Sequence, residues 1–321
     1  MNHFNIPMPE QQVSFAHSLE SIKSKFLGQA LADAVEQSDL EVINNDLKLY
    51  APANSLKTLA SLGIRGEIVF PTPCILKHNP HLLAYYRLLL GYSQKAFYSA
   101  HYGLSGFKVL EDKGRLSSKL EAKLPPLCES LSQCSAFLLN NLQDQFSLKL
   151  VEELVLLTLG PQLRGGANVK KGEEGIQRVF ELIKMIVADA IVDSSDKRIK
   201  IRNAANRMVL LEFAADPDIV VREPHAGGRN ILAIEVKGGT DFSNIHNRLG
   251  EAEKSHQKAK QNGYIECWTI VNVDKTNLEM AKKESPTSNQ FFVLSEITDP
   301  AHEEFHRFRN NLTSLTSIHS K

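Results

Sequence analysis

Apolar residues recur at three- and four-residue spacing from residue 11 to about 150, which predicts a mainly helical first half. QQVSFAHSLESIKSKFLGQALADAVEQ follows this spacing. So does NPHLLAYYRLLLG, with Asn79 placed to cap, Pro80 at the first helical position and Gly91 to stop. SSKLEAKL ends at Pro125-Pro126, and CESLSQCSAFLLNNLQDQFSLKLVEELVLLTLG supplies one or two further helices. GPQLRGGANVKKGEEG, residues 160–175, reads as a loop, and EGIQRVFELIKMIVADAI as an amphipathic helix. Beyond it the texture changes. RMVLLEF, PDIVVRE, NILAIEVK, YIECWTIVN and NQFFVL are short runs rich in β-branched and aromatic residues, which predicts strands. SNIHNRLGEAEKSHQKAKQNG, TNLEMAKKE and DPAHEEFHRFRNNLTSL read as helices between and after them. The expected order in the second half is helix, three strands, helix, strand, helix, strand. That is an α/β (α+β) domain with a mixed sheet flanked by helices, residues 156–321, preceded by a helical domain, residues 1–155.

Composition changes this picture little. The chain has 321 residues, 42% hydrophobic and 23% charged, enough for a core in each of two domains. Lys+Arg and Asp+Glu are both 37, so bulk charge gives no support for a nucleic-acid partner, and any basic footprint must be local. Cys74, Cys128, Cys134 and Cys267 form no C-x-x-C pair, which fits a reducing cytoplasm and argues against a zinc knuckle. MNHFNIPMPEQQ lacks a signal pattern, and VEELVLLTLG is too short and too charged to span a bilayer, so no membrane partner is expected.

The candidate chemistry lies on the ILAIEVK strand. Leu232, Ile234 and Val236 share one face; Ile231, Ala233, Glu235 and Lys237 share the other. Both faces are apolar until Glu235 and Lys237 emerge together at the end. Gly227-Gly228 suits a hairpin turn, which would bring Asp218, at the start of the preceding strand, near Glu235. Two carboxylates supply hard oxygen ligands for Mg²⁺, with the Val236 carbonyl as a further ligand. Such a metal lowers the pKa of a bound water and stabilises charge on a phosphate, and Lys237 orients or deprotonates that water. Asp216 rivals Asp218 for the same role. The plain alternative is that D-P-D is a turn and E-x-K a solvated strand end.

Pro217-Asp218 followed by Glu235-Val236-Lys237 resembles the PD-(D/E)xK nuclease pattern. EVKGGTDFSNIHNRLGEAEKSHQKAK together with YYRLLLGYSQKAFY resembles, more specifically, the XcyI-type type II restriction endonucleases. The resemblance implies a restriction-endonuclease-like core and Mg²⁺-dependent cleavage of double-stranded DNA at a short palindrome, CCCGGG in that family, by a homodimer. It also implies 5′-phosphate products and a cognate DNA methyltransferase in the same system. Asp218 and Glu235 would bind the metal and Lys237 would handle the water. Glu174 or Glu181 is a candidate third carboxylate, against the alternative of a solvated helix face or a complement to the helix dipole. Asp241 is placed either to support the site or simply to make a turn.

Two regions carry residue types suited to DNA. Arg164, Lys170 and Lys171 lie among glycines, as a phosphate cradle or as a solvated linker. Asn244, His246, Asn247 and Arg248 follow the active strand and are of types that read base edges. Lys254, with Lys258 and Lys260, would contact phosphates or simply face solvent. His246 and His256 lack zinc-ligand spacing. Residues 85–114 offer a candidate helix-turn-helix, with Ser93-Gln94 opening one helix, Gly103-Leu104-Ser105 turning, Phe107–Leu110 in the second helix, and Glu111 and Gly114 closing; an ordinary helical core segment is the alternative. The rival functions are a repair or junction-resolving nuclease of the same superfamily and a DNA-binding regulator without catalysis.

Overall fold

Helical spacing in the first half and two-residue alternation in the second separate in space as well as in sequence. The structure, a computed structural model, describes residues 8–142, 145–225, 228–239, 245–272 and 278–318. The chain divides into two units, Met1–Gly165 and Gly166–Lys321. The division lies further along than residue 155, inside a long helix.

The first unit is built from α1 (Glu10–Phe26), α2 (Gly28–Glu36), α3 (Leu40–Tyr50), α4 (Ala53–Ser61), α5 (Pro73–His78), α6 (Leu83–Leu89), α7 (Gln94–Phe97), α8 (Lys108–Lys113), α9 (Ser118–Glu121), α10 (Leu124–Leu142) and the first part of α11 (Leu148–Ile186). Ile43, Leu59, Ile75, Leu76 and Tyr86 are fully enclosed at its centre. Asn79 caps as expected, accepting from the His81 amide at 3.1 Å. Pro125 and Pro126 fall in the first turn of α10, where a missing N–H costs nothing.

Residues 93–114 form short pieces. Ser93 caps α7 through the Ala96 amide at 3.2 Å, and Gly103 and Gly114 take left-handed conformations. Phe107 and Leu110 are buried. Glu111 is buried too, because it receives Arg87 Nη2 at 2.6 Å, Arg87 Nε at 2.9 Å and the Tyr98 hydroxyl at 2.8 Å. Arg87 also donates to the Tyr92 carbonyl and, at 3.1 Å, to Gln162. These side chains tie the segment to the unit's own core.

The stretch 160–175, expected to be a loop, is helical and forms the middle of α11. Strong helix-forming sequence lies on both sides, and extending a helix is far cheaper than starting one. Each interior glycine costs only about 1 kcal/mol relative to alanine. Lys170 and Glu174 pair across one turn at 3.8 Å.

In the second unit seven strands form one sheet in sequence order: β1 (Ile191–Ser194), β2 (Arg198–Arg202), β3 (Met208–Phe213), β4 (Ile219–Arg222), β5 (Asn230–Lys237), β6 (Glu266–Val271) and β7 (Gln290–Val293). The sheet is mixed: β1 to β5 are antiparallel neighbours, while β5, β6 and β7 run parallel. Five strands therefore precede the first crossover helix, not three; β1 and β2 were not anticipated. One face carries Ile199, Val209, Leu211, Val221, Leu232, Ile234, Trp268 and Phe292 against Val179, Phe180 and Ile183 of α11 and Phe305, Phe308 and Leu312 of α15 (Glu303–Thr316). The other face is covered by α12 (Ile245–Gln261), whose Ala259 meets Ala233 and Cys267. Two shorter helices, α13 (Leu278–Glu284) and α14 (Leu294–Ile297), complete the unit. All four cysteines are free thiols. Among the described residues no helix is long and apolar enough to cross a membrane.

Glu111→Ala leaves the Arg87 guanidinium buried without its partner. Urea unfolding should show a loss of about 3–5 kcal/mol, most of it recovered when Arg87→Met is added.

Candidate active site

Strand register sets the first two groups of the site. Ile219 pairs with Ile234 across the antiparallel β4–β5 ladder, so one step further Asp218 stands opposite Glu235. The Val236 amide donates to Asp218 Oδ2 at 2.7 Å. Glu235 points away from the aliphatic core, because Leu232, Ile234 and Val236 take that face. Lys237, two residues on, shares its face and donates from Nζ to Glu235 Oε1 at 2.8 Å. Asp218, Glu235 and Lys237 thus come together at the carboxyl end of β5.

Helix α12 closes the site from above. Ser255, 5% exposed, donates to Glu235 Oε2 at 2.9 Å and also touches Asp216 Oδ1. Lys258 reaches Asp216 Oδ2 at 2.5 Å, and Glu251 lies 3.5 Å from Lys237 Nζ. Residues 251, 255 and 258 follow one another at turn spacing, so one stripe of the helix faces the strand end. The adjoining stripe, with Leu249, Ala252, His256 and Ala259, is buried. His256 contacts Thr269 at 2.9 Å, and Thr269 is the cross-strand neighbour of Glu235. Burial pushes the His256 imidazole down to about 4.

The electrostatics are those of a site rich in negative charge. Burial, and then the charge of Glu235, push the Asp218 carboxyl up to about 6. Burial works against the Lys237 ammonium, but Glu235, Glu251 and Asp218 more than offset it, and its pKa lies above the ordinary lysine value. The Asp216 carboxyl is held low by hydrogen bonds from Lys258 and Ser255. Asp218 and Glu235 offer only oxygen donors, and Asp218 is a carboxyl that its surroundings resist ionising. That combination suits a hard divalent cation, completed by the Val236 carbonyl, solvent or substrate oxygens. Among the described residues, no group of three or more His, Cys, Asp or Glu side chains is arranged to hold a metal ion.

The other residues singled out in the sequence lie as follows. Glu174 pairs with Lys170, and Glu181 accepts from Gln177 at 2.9 Å; both are exposed on α11. Lys171 is exposed, but its carbonyl lies under the strand end: a Cβ on Gly238 would come within 2.8 Å of it. Gly175 likewise faces Gly238, where a Cβ would be 2.9 Å from the backbone. Arg164 is exposed on α11 within the first unit. His246 is exposed and bonded to Glu284 of α13, and Asn247 and Lys254 are exposed on α12. Arg248 is half-buried and donates to the Gly239 carbonyl, so its guanidinium holds the backbone just after β5. Asn244 and Asp241 lie outside the described residues, as does Gly227. Ser255, which the sequence suggests as a neighbour of Glu251 on a solvated helix face, is buried against the site; the turn-spaced polar stripe of 251, 255 and 258 was the available signal.

Comparison with known proteins gives matches along the whole chain. A family model for the XcyI restriction endonuclease matches residues 16–319. The type II restriction enzyme Cfr9I of Citrobacter freundii is 45% identical over 322 aligned positions, covering 99% of this chain and 98% of that enzyme. The type II restriction enzyme XcyI of Xanthomonas campestris pv. cyanopsidis is also 45% identical, covering 99% of this chain and 97% of the relative.

The raised Asp218 carboxyl has a consequence for stability. An acid whose folded pKa exceeds its unfolded value favours the fold below the unfolded pKa, and that contribution is lost as pH rises through about 6. Ionised Asp218 is therefore a burden at neutral pH. In metal-free buffer at pH 7.5, Asp218→Asn should be more stable than the parent by about 2 kcal/mol, and the gain should vanish below about pH 4. Urea titrations at both pH values check the sign.

Proposed function

Because the chain belongs to the XcyI restriction endonuclease family, we propose that it is a type II restriction enzyme that hydrolyses double-stranded DNA at a short palindrome in a Mg²⁺-dependent reaction. The observation that carries this reading is the end-to-end match to two type II restriction enzymes in a chain whose Asp218, Glu235 and Lys237 converge at one strand end. The proposed recognition sequence, CCCGGG, comes from the family resemblance and from no residue contact.

In this reading Asp218 and Glu235 hold the cation, with the Val236 carbonyl beside them. When bound, the cation supplies an acidified water and offsets charge on the scissile phosphate. Lys237, fixed by Glu235 and bordered by Glu251, donates hydrogen bonds that orient the attacking water in line with the departing 3′ oxygen, leaving a 5′-phosphate. The scissile phosphate lies against this lysine, and Lys254 and Lys171, both exposed in the same unit, meet flanking phosphates. Asn247 and His246, at the start of α12, are the proposed base-edge contacts, while Arg248 acts by holding the Gly239 carbonyl. A palindromic site calls for a two-fold homodimer, and protection of host DNA calls for a methyltransferase of the same specificity; the proposed compartment is the cytoplasm.

Digestion of a sequenced phage genome with purified protein and Mg²⁺ should give discrete bands with 5′-phosphate ends, and chelation should abolish them. Glu235→Gln and Lys237→Ala should each lower the single-turnover cleavage rate by about 10²–10³-fold or more, with DNA binding in Ca²⁺ kept. Intact phage DNA, or an unchanged rate in either variant, would refute the assignment.

A further inference from the structure

Glu235 presents two carboxylate oxygens, and each has a partner. Oε1 takes the Lys237 ammonium, and Oε2 takes the Ser255 hydroxyl at 2.9 Å. The same hydroxyl touches Asp216 Oδ1, and Asp216 is in turn fastened by Lys258 at 2.5 Å. A serine hydroxyl has a single proton to donate. Ser255 therefore sits between two carboxylates and directs its proton to one of them at a time. It is 5% exposed, so little water reaches it to take over the task.

We propose that Ser255 is a positioning residue for divalent-cation binding, fixing the Glu235 carboxylate from α12, and that Asp216 and Lys258 act through it. The inference rests on Glu235 being a cation ligand. It gives Asp216 a different part from the rival ligand role open in the sequence. Asp216, the second acceptor, keeps the hydroxyl against Glu235, and a carboxylate oxygen that accepts this proton has a lone pair left for the cation. Lys258 balances the charge that Asp216 keeps. Ser255 is not itself placed to touch substrate, so its loss should alter the demand for cation and leave the chemistry intact at saturation.

Mn²⁺ binding, followed by the paramagnetic resonance of free Mn²⁺ with no turnover, tests this. Ser255→Ala should weaken Mn²⁺ about tenfold under conditions in which circular dichroism shows the variant folded. Excess Mg²⁺ should restore its cleavage rate. Asp216→Asn should weaken Mn²⁺ less, and the double variant should be no weaker than Ser255→Ala alone, since both changes act on one contact. Additive losses, or an Asp216→Asn protein that binds no Mn²⁺, would make Asp216 a ligand in its own right and overturn the proposal. An unchanged affinity in Ser255→Ala, with binding abolished in Glu235→Gln, would also overturn it while leaving the ligand role of Glu235 in place. Retained binding in Glu235→Gln, or no Mn²⁺ binding by the parent with or without duplex, would remove the premise itself. Should Ser255→Ala not fold, Ser255→Cys, similar in size with a weaker donor, carries the same expectation.

Discussion

The second unit depends on one costly arrangement: the β4–β5 register brings two carboxylates face to face at the end of a buried strand. Burial, and then the like charge of Glu235, oppose ionisation there, and the raised Asp218 carboxyl expresses that resistance. The surroundings offset only part of the cost. One backbone amide serves Asp218, and one ammonium and one hydroxyl serve Glu235. A packed apolar strand end would be more stable. Keeping such a deficit of positive charge makes physical sense where a cation is to be received, and active sites are where natural chains give up stability in this way.

Helix α12 shows how one element can serve both packing and chemistry. Its buried stripe puts Ala259 against Ala233 and Cys267, small side chains that let helix and sheet approach closely. That closeness brings the next stripe, Glu251, Ser255 and Lys258, within reach of Lys237, Glu235 and Asp216. Larger residues at the first set would lift the second set away. Glu253 anchors the same helix from the side, accepting from the Thr287 amide at 3.0 Å and the Ser285 hydroxyl at 3.1 Å. The helix is thus held at its middle turns, where Ser255 lies.

Much of this was legible in the sequence. Strands β3 to β7 announced themselves by β-branched and aromatic runs. The pairing of Asp218 with Glu235 could be read because a short hairpin leaves few registers and the core face of β5 selects one. The two missed strands explain themselves: Ile191–Ser194 has an exposed, acidic end, and Arg198–Arg202 alternates cleanly but over five residues among charges. The helix through 160–175 was hidden by glycines and a proline, which local reasoning takes as breakers and which a long flanking helix absorbs. Ser255 was hidden by a different effect. A serine in a highly charged helix reads as solvent-facing until the fold shows which stripe meets the sheet. Arg248 is the converse case: its type suits guanine, but its position under the Gly239 carbonyl is a product of chain geometry.

The glycines at the strand end serve the same geometry. The Lys237 carbonyl accepts from the Asn272 amide at 3.1 Å, the Gly238 carbonyl from the Asn272 side chain at 2.9 Å, and the Gly239 carbonyl from Arg248. Three successive carbonyls are thus taken up as the chain leaves the sheet. Gly238 lies beneath Lys171 and Gly175 of α11, with no room for a side chain on either glycine of that contact. A glycine in mid-helix is a weak choice for helix stability and a sound one for close approach. Gly175 is therefore better understood as a packing requirement of the Gly238 backbone that follows Lys237 than as a relic of a loop. The precision needed at the lysine accounts for a residue that helix propensity alone would reject.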